Sequence, residues 1–199
     1  MSDEKYKDKV IQGSVFPDKP VLNNMKIVFS PEILNEYIPT IEKIPAPKGL
    51  KLLCTIMAQQ EGFKKGTRSY RTHNPGNIGN TDSGQNKVIN TLDDGINLQI
   101  KYLTGIINGT NKNYPVDKQV NIPPYYSKEI AAHEASYQLS PWLPGYTFIF
   151  TGQLDQFVKI YSTGARATNS YLSLIVSYFA IKGIPITAQT TLEDLSKIV

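Results

Sequence analysis

A chain of 199 residues, 40% hydrophobic and 19% charged, carries enough apolar surface for one buried domain, which excludes a disordered tail or a fibrous repeat. Its net charge of +4 favours anionic partners, but the basic residues are scattered and no nucleic-acid-binding motif accompanies them, so no nucleic-acid partner is expected. No apolar stretch approaches the roughly 20 residues of a membrane span, and one cysteine and two histidines exclude an internal disulfide and a Cys/His metal cluster, so neither membrane insertion nor any metal or cofactor is expected.

In chain order, residues 1–28 show no sustained hydrophobic period and read as an extended arm, leaving residues 29–199 as one domain. Ser30-Pro31 has the form of an N-cap followed by proline at the first helical position. Ile33, Leu34, Tyr37 and Ile38 follow as a short apolar stripe that Pro39 should end or kink. The next helix begins after a proline-rich segment. Leu50, Leu53, Cys54 and Met57 fall at i, i+3, i+4 and i+7, one continuous face, and Glu61 lands on that face in the last turn before Gly62. A carboxyl group there meets desolvation and the negative end of the helix dipole, both of which raise its pKa toward the range a general acid needs. A solvated glutamate at a frayed helix end fits the position as well.

Residues 64–90 are polar and glycine-rich, with turn signals at Asn74-Pro75-Gly76-Asn77 and at Asp82-Ser83-Gly84. Lys87-Val88-Ile89 reads as a strand closing a small β-hairpin near residues 76–90. Thr91 with Asp94 three residues on resembles a capping box, and Ile96, Ile100, Leu103 and Ile107 give the helix that follows its apolar stripe. Residues 109–125 read as a loop, and a helix is expected over 127–139. His133-Glu134 begins like a metalloprotease helix, but Tyr137 stands where the second ligand belongs. An aromatic stretch containing Trp142 and Tyr146 suits either sugar stacking or a structural cluster. Two amphipathic helices carry Leu154, Phe157, Val158 and Tyr161, then Leu172, Ile175, Val176 and Phe179 before a stop at Gly183. A last short helix should begin at Thr190 or Thr191. The expected architecture is mainly α: a helical bundle around a central helix ending in Glu61, with the small hairpin inserted behind it.

Glu61-Gly62-Phe63, then Asn74-Pro75-Gly76-Asn77-Ile78, then Thr91-Leu92-Asp93-Asp94-Gly95, in this order, resemble the lysozyme-like domains of peptidoglycan-cleaving enzymes. Lytic transglycosylases, goose-type lysozymes and phage wall-degrading proteins make up that superfamily. The segment from Tyr161 to Ala165, with Asn169 to Tyr171, is similar to a late motif whose tyrosine lines the cleft. Gly62 stands where many members carry serine, and Gly76-Asn77-Ile78 stands roughly where the familiar Gly-Leu-Met-Gln signature would be.

The resemblance implies that Glu61 protonates the glycosidic oxygen between N-acetylmuramic acid and N-acetylglucosamine, then acts as a base, giving either hydrolysis or an anhydro product. It implies substrate contacts from Ser69, Tyr70, Asn74, Gly76, Asn77, Ile78 and Tyr161, although a tight turn explains the Asn-Pro-Gly-Asn composition and a core role explains Tyr161. Asp82 is the candidate second carboxylate; Asp93 and Asp94 are better read as first-turn and capping residues. The implied partners are peptidoglycan glycan strands and other virion proteins. MSDEKYKDKV lacks the apolar core of a secretory signal, so the implied location is a phage virion or the host cytoplasm before release.

Overall fold

The computed structural model describes residues 27–79, 87–121, 147–161 and 165–199. Most of the expected arm, Asp82, the helix expected over 127–139, His133, Trp142 and Tyr146 lie outside them. The described chain is mainly helical. A π turn, Ile33–Tyr37, runs into α1 (Ile38–Lys43); α2 (Lys48–Gln60), α3 (Arg68–Arg71) and α4 (Leu92–Ile107) follow. Two short strands, β1 (Gln119–Asn121) and β2 (Thr147–Ile149), precede α5 (Leu154–Tyr161), α6 (Ala165–Ile181) and α7 (Leu192–Ser196). None of the described helices is long and apolar enough to cross a membrane.

Ser30 caps the first helical segment as expected: its Oγ accepts from the Ile33 amide at 3.1 Å and donates to the Phe63 carbonyl at 2.8 Å. Pro39 neither ends this segment nor stands in an undisturbed α-helix. A proline has no N–H for the carbonyl four residues back and its ring crowds that carbonyl. The preceding turn is accordingly a π turn, in which the Ile38 amide reaches five residues back to Ile33.

α2 is buried along almost its whole length, from Gly49 through Ala58 apart from Lys51. It packs against α1, α4, α6, α7 and the π turn. The expected face of Leu50, Leu53, Cys54 and Met57 is in the core, and Leu52, Thr55, Ile56 and Ala58 extend burial around the helix. At Gly49 a Cβ would stand 2.2 Å from the Leu195 carbonyl oxygen, so glycine lets α2 touch the backbone of α7.

Four sequence expectations change. The polar stretch after Gly62 contains α3, whose N-cap Thr67 side chain accepts from the Tyr70 amide. The described part of the expected hairpin, Lys87–Ile89, is not a strand: the Ile89 amide bonds to the Thr72 carbonyl at 3.0 Å and Val88 is exposed. The strand pairing described lies elsewhere, β1 antiparallel to β2 with Val120 opposite Phe148, and β1 falls in a segment read as loop. Three-residue strands leave too short a period-2 signal to detect. The α4 stripe is also rotated, with Gly95, Ile96, Gln99, Leu103 and Ile106 buried and Ile107 only partly so. Thr191 opens α7 with a complete capping box to Asp194, and Gly183 follows α6 with φ of 74°.

Candidate active site

α2 ends at Glu61, whose amide still bonds to the Met57 carbonyl at 2.9 Å while Gly62 turns the chain away with φ of 68°. Phe63 then drops into the core, its ring 5.9 Å from Tyr37 and 5.2 Å from Tyr70. This plug fixes where the helix end sits. The Glu61 side chain is left half-buried. Burial raises its carboxyl above the ordinary glutamate range, while the Asn77 amide and the Arg68 charge pull it partly back down.

Asn77 reaches Glu61 because its turn is stapled from within. The buried Asn74 side chain accepts from the Ile78 amide at 3.0 Å and donates to the Ile78 carbonyl at 2.9 Å, and the Asn77 amide bonds to the Asn74 carbonyl at 2.9 Å. Asn77 takes φ of 48°, a left-handed conformation that asparagine tolerates better than most residues. Its Nδ2 donates to Glu61 Oε2 at 2.7 Å. With Oε2 accepting, the other carboxyl oxygen is the one left to carry the acidic proton.

The turn rests on α4. A Cβ at Gly95 would lie 1.8 Å from the His73 carbonyl oxygen, and one at Gly76 would lie 2.9 Å from Gln99 Cγ. Gln99, fully buried, accepts from Tyr37 Oη at 2.7 Å. From the opposite side the Tyr161 hydroxyl donates to the Gly76 carbonyl, and its ring packs on Phe157, Tyr102 and Tyr171. Ser69, buried on α3, donates to the Glu61 backbone carbonyl at 3.2 Å.

Of the residues singled out in the sequence, Glu61, Ser69, Gly76, Asn77 and Tyr161 are brought together. Ile78 closes the Asn74 staple. Asn74 spends its side chain inside its own turn, and the Tyr70 hydroxyl is held by the Glu36 carboxylate at 3.1 and 3.2 Å. Tyr161 braces the turn through Gly76. Thr91 caps α4, its Oγ1 accepting from the Asp94 amide at 3.1 Å and donating to the Asp94 carboxylate at 2.8 Å, and Asp93 lies in the same first turn. Asp82, the candidate second carboxylate, lies outside the described residues. Arg68 and Gln99 carry no site signal in the sequence, and Gly95 and Tyr171 appear there only within the motifs. Their signals depend on tertiary approach: a glycine in a helix and a glutamine on an apolar stripe mark close packing only once the partner is known.

Two substitutions probe this geometry. Tyr171 is fully buried and its hydroxyl has no hydrogen-bond partner among the described residues; burial first, and then the Glu61 charge, pushes its pKa well above the ordinary value. An unpaired buried hydroxyl costs about 1–3 kcal/mol, so Tyr171→Phe should raise unfolding stability by about 1 kcal/mol in urea titrations. A loss of stability would mean that the hydroxyl has a partner. Asn77→Gly keeps the left-handed backbone and removes the amide that lowers the Glu61 pKa. The Glu61 titration, followed by carbon-13 NMR, should then move to higher pH; no movement would remove Asn77 from the control of the acid.

A half-buried acid with a raised pKa, held by one amide donor, is equipped to give a proton to a leaving oxygen and to take one back. No family model, no curated protein and no solved structure matches this chain.

Proposed function

We propose that this chain is a peptidoglycan-cleaving glycosidase, a muramidase or lytic transglycosylase, with Glu61 as its single general acid/base. The observation that carries the reading is the Glu61 carboxyl at the end of the buried helix α2, raised by burial and held by Asn77 from the Asn-Pro-Gly-Asn turn. The resemblance of these segments to lysozyme-like domains, in the same order, supports it. On that reading the acid protonates the oxygen between N-acetylmuramic acid and N-acetylglucosamine as the bond to the anomeric carbon breaks. The resulting carboxylate then takes a proton from whichever hydroxyl attacks that carbon. Water as nucleophile gives a reducing end; the 6-hydroxyl of the muramic residue gives an anhydro ring and no water is consumed.

The finer parts of the reading belong to the same proposal: a lysozyme-like bundle, a phage source, and action on a bacterial wall from a virion or after release from the host. The net positive charge suits an anionic wall.

Mass spectrometry of purified peptidoglycan incubated with the protein tests the reading. Soluble muropeptides are the expected product, and masses lower by one water identify the transglycosylase outcome. Absence of release from several wall chemotypes by a folded protein would overturn the enzyme reading and leave a non-catalytic virion or wall-binding protein.

A further inference from the structure

At the end of α2 away from Glu61, a pocket of about 530 Å³ opens between α1, α2 and the end of α6. Leu52 and the ring of Tyr178 are its buried apolar surfaces, and Lys48, Lys51 and Lys182 stand around it with one acid, Glu42. Three ammonium groups against the carboxylates of Glu42 and of Val199, the last residue, leave a surplus of about one positive charge on a concave surface, where low-dielectric walls focus the field.

The lysines are not neutralised by ion pairs. Among the described residues, Lys159 pairs with Asp155 and Lys197 with Glu193, but none of these three lysines lies within 4.0 Å of a carboxylate oxygen. Lys51 donates instead to the Glu42 backbone carbonyl at 2.9 Å, and Lys182 stands 5.4 Å from the centre of the Tyr178 ring. Lys48 and Lys51 are one turn apart on α2, and Lys182 faces them from the end of α6. The charge is therefore strung across the pocket rather than gathered at one point. Lysine binds phosphate as a point charge, and no arginine is among the described residues that line the pocket.

We propose that this pocket binds the phosphate groups of an anionic, phosphodiester-linked wall polymer, with the chain between phosphates lying on Tyr178 and Leu52. The choice of a wall polymer rests on the proposed function; the anion preference rests on the pocket alone. Lys51 precedes Glu61 by ten residues, about 15 Å along the helix axis. A polymer held at one end of α2 therefore keeps the acid at the other end close to the wall, raising its effective concentration there.

The test is a binding isotherm on purified walls, intact and stripped of phosphate polymer with hydrofluoric acid, carried out with Glu61→Gln as the background. The background protein should bind intact walls about tenfold more tightly than stripped ones, with an affinity that falls as salt rises. Lys48→Gln/Lys51→Gln/Lys182→Gln should bring intact walls to the stripped-wall level. Lys48→Gln/Lys182→Gln, which touches no described side-chain hydrogen bond, should give part of that loss. Lys101→Gln/Lys112→Gln/Lys118→Gln removes the same charge elsewhere and should leave the preference in place. Equal binding to intact and stripped walls, or equal loss from both lysine triples, would overturn the pocket. Binding is read without turnover, so failure of the glycosidase reading would appear separately, as absence of muropeptide release by the wild-type chain.

Discussion

Glu61→Gln should lower the rate of muropeptide release by about 10³-fold, within the range that a positioned acid/base supplies. A single carboxyl serves both halves of the proposed reaction, so the loss falls on each half. Glutamine keeps the shape, and its side-chain carbonyl still accepts from Asn77, so binding to walls should be unchanged. The same variant should be more stable than wild type at neutral pH. The sign follows from burial: the folded-state pKa of Glu61 is raised above its ordinary value of 4.5, so the native state holds the proton more tightly than the unfolded chain. Wild-type stability from this group is therefore full below the ordinary value and is lost as pH rises through the folded-state pKa. Glutamine never ionises. The stability gain of the variant should vanish well below pH 4.5 and be largest above the raised pKa, as read by urea unfolding at the two extremes. A gain independent of pH would mean that the Glu61 carboxyl is not desolvated. A variant that releases muropeptides as fast as wild type would remove Glu61 from the chemistry altogether.

How far this arrangement could be read beforehand depends on whether its cause is local. Helix α2, the α5 stripe and the start of α7 at Thr191 follow from spacing and end residues within a single turn or two, and the structure has them where those local signals put them. The position of Glu61 follows from the same rule: it lies at i+11 on an apolar face and is half-buried. The contacts that set its chemistry are not local. Asn77 is 16 residues away and meets the carboxyl because the intervening chain forms α3 and a stapled turn. Arg68 acts on the acid from α3, a one-turn helix too short to show a period. The tyrosine expected to line the cleft binds the Gly76 carbonyl instead, since its partner is chosen by the approach of α5 to the turn. Gln99 on an apolar stripe looks like a local defect in sequence, but it is the acceptor that satisfies the buried Tyr37 hydroxyl. Strands of three residues fall below any pattern test, so β1 carries no strand signal in the sequence.

Gly95→Ala isolates the non-local part, because two known effects of opposite sign compete there. Gly95 lies in the first turn of α4, and in an exposed helix interior alanine is worth about 1 kcal/mol more than glycine. Against this, the new Cβ would stand 1.8 Å from the His73 carbonyl oxygen, 2.9 Å from Pro75 Cδ and 3.0 Å from the His73 carbonyl carbon. Two of these atoms are backbone and cannot rotate aside, so the turn or the helix must move. Overpacking of this kind costs about 3 kcal/mol at the upper end of its usual range, which outweighs the propensity gain. The net loss should therefore be about 2 kcal/mol in chemical denaturation. Gly105 on the same helix supplies the contrast: a Cβ there meets Thr110 Oγ1 at 3.4 Å and Asn111 Cβ at 3.9 Å, ordinary contacts, so Gly105→Ala should be neutral or stabilising by up to about 1 kcal/mol. The displaced segment in Gly95→Ala is the one whose Asn74 staple presents Asn77 to the acid. Muropeptide release should therefore fall by more than the unfolded fraction explains, and the Glu61 titration should move toward that of Asn77→Gly. If Gly95→Ala instead matched Gly105→Ala in both stability and release, the turn would not be seated on α4, and the positioning of Glu61 would have to come from α3 and the Phe63 plug alone.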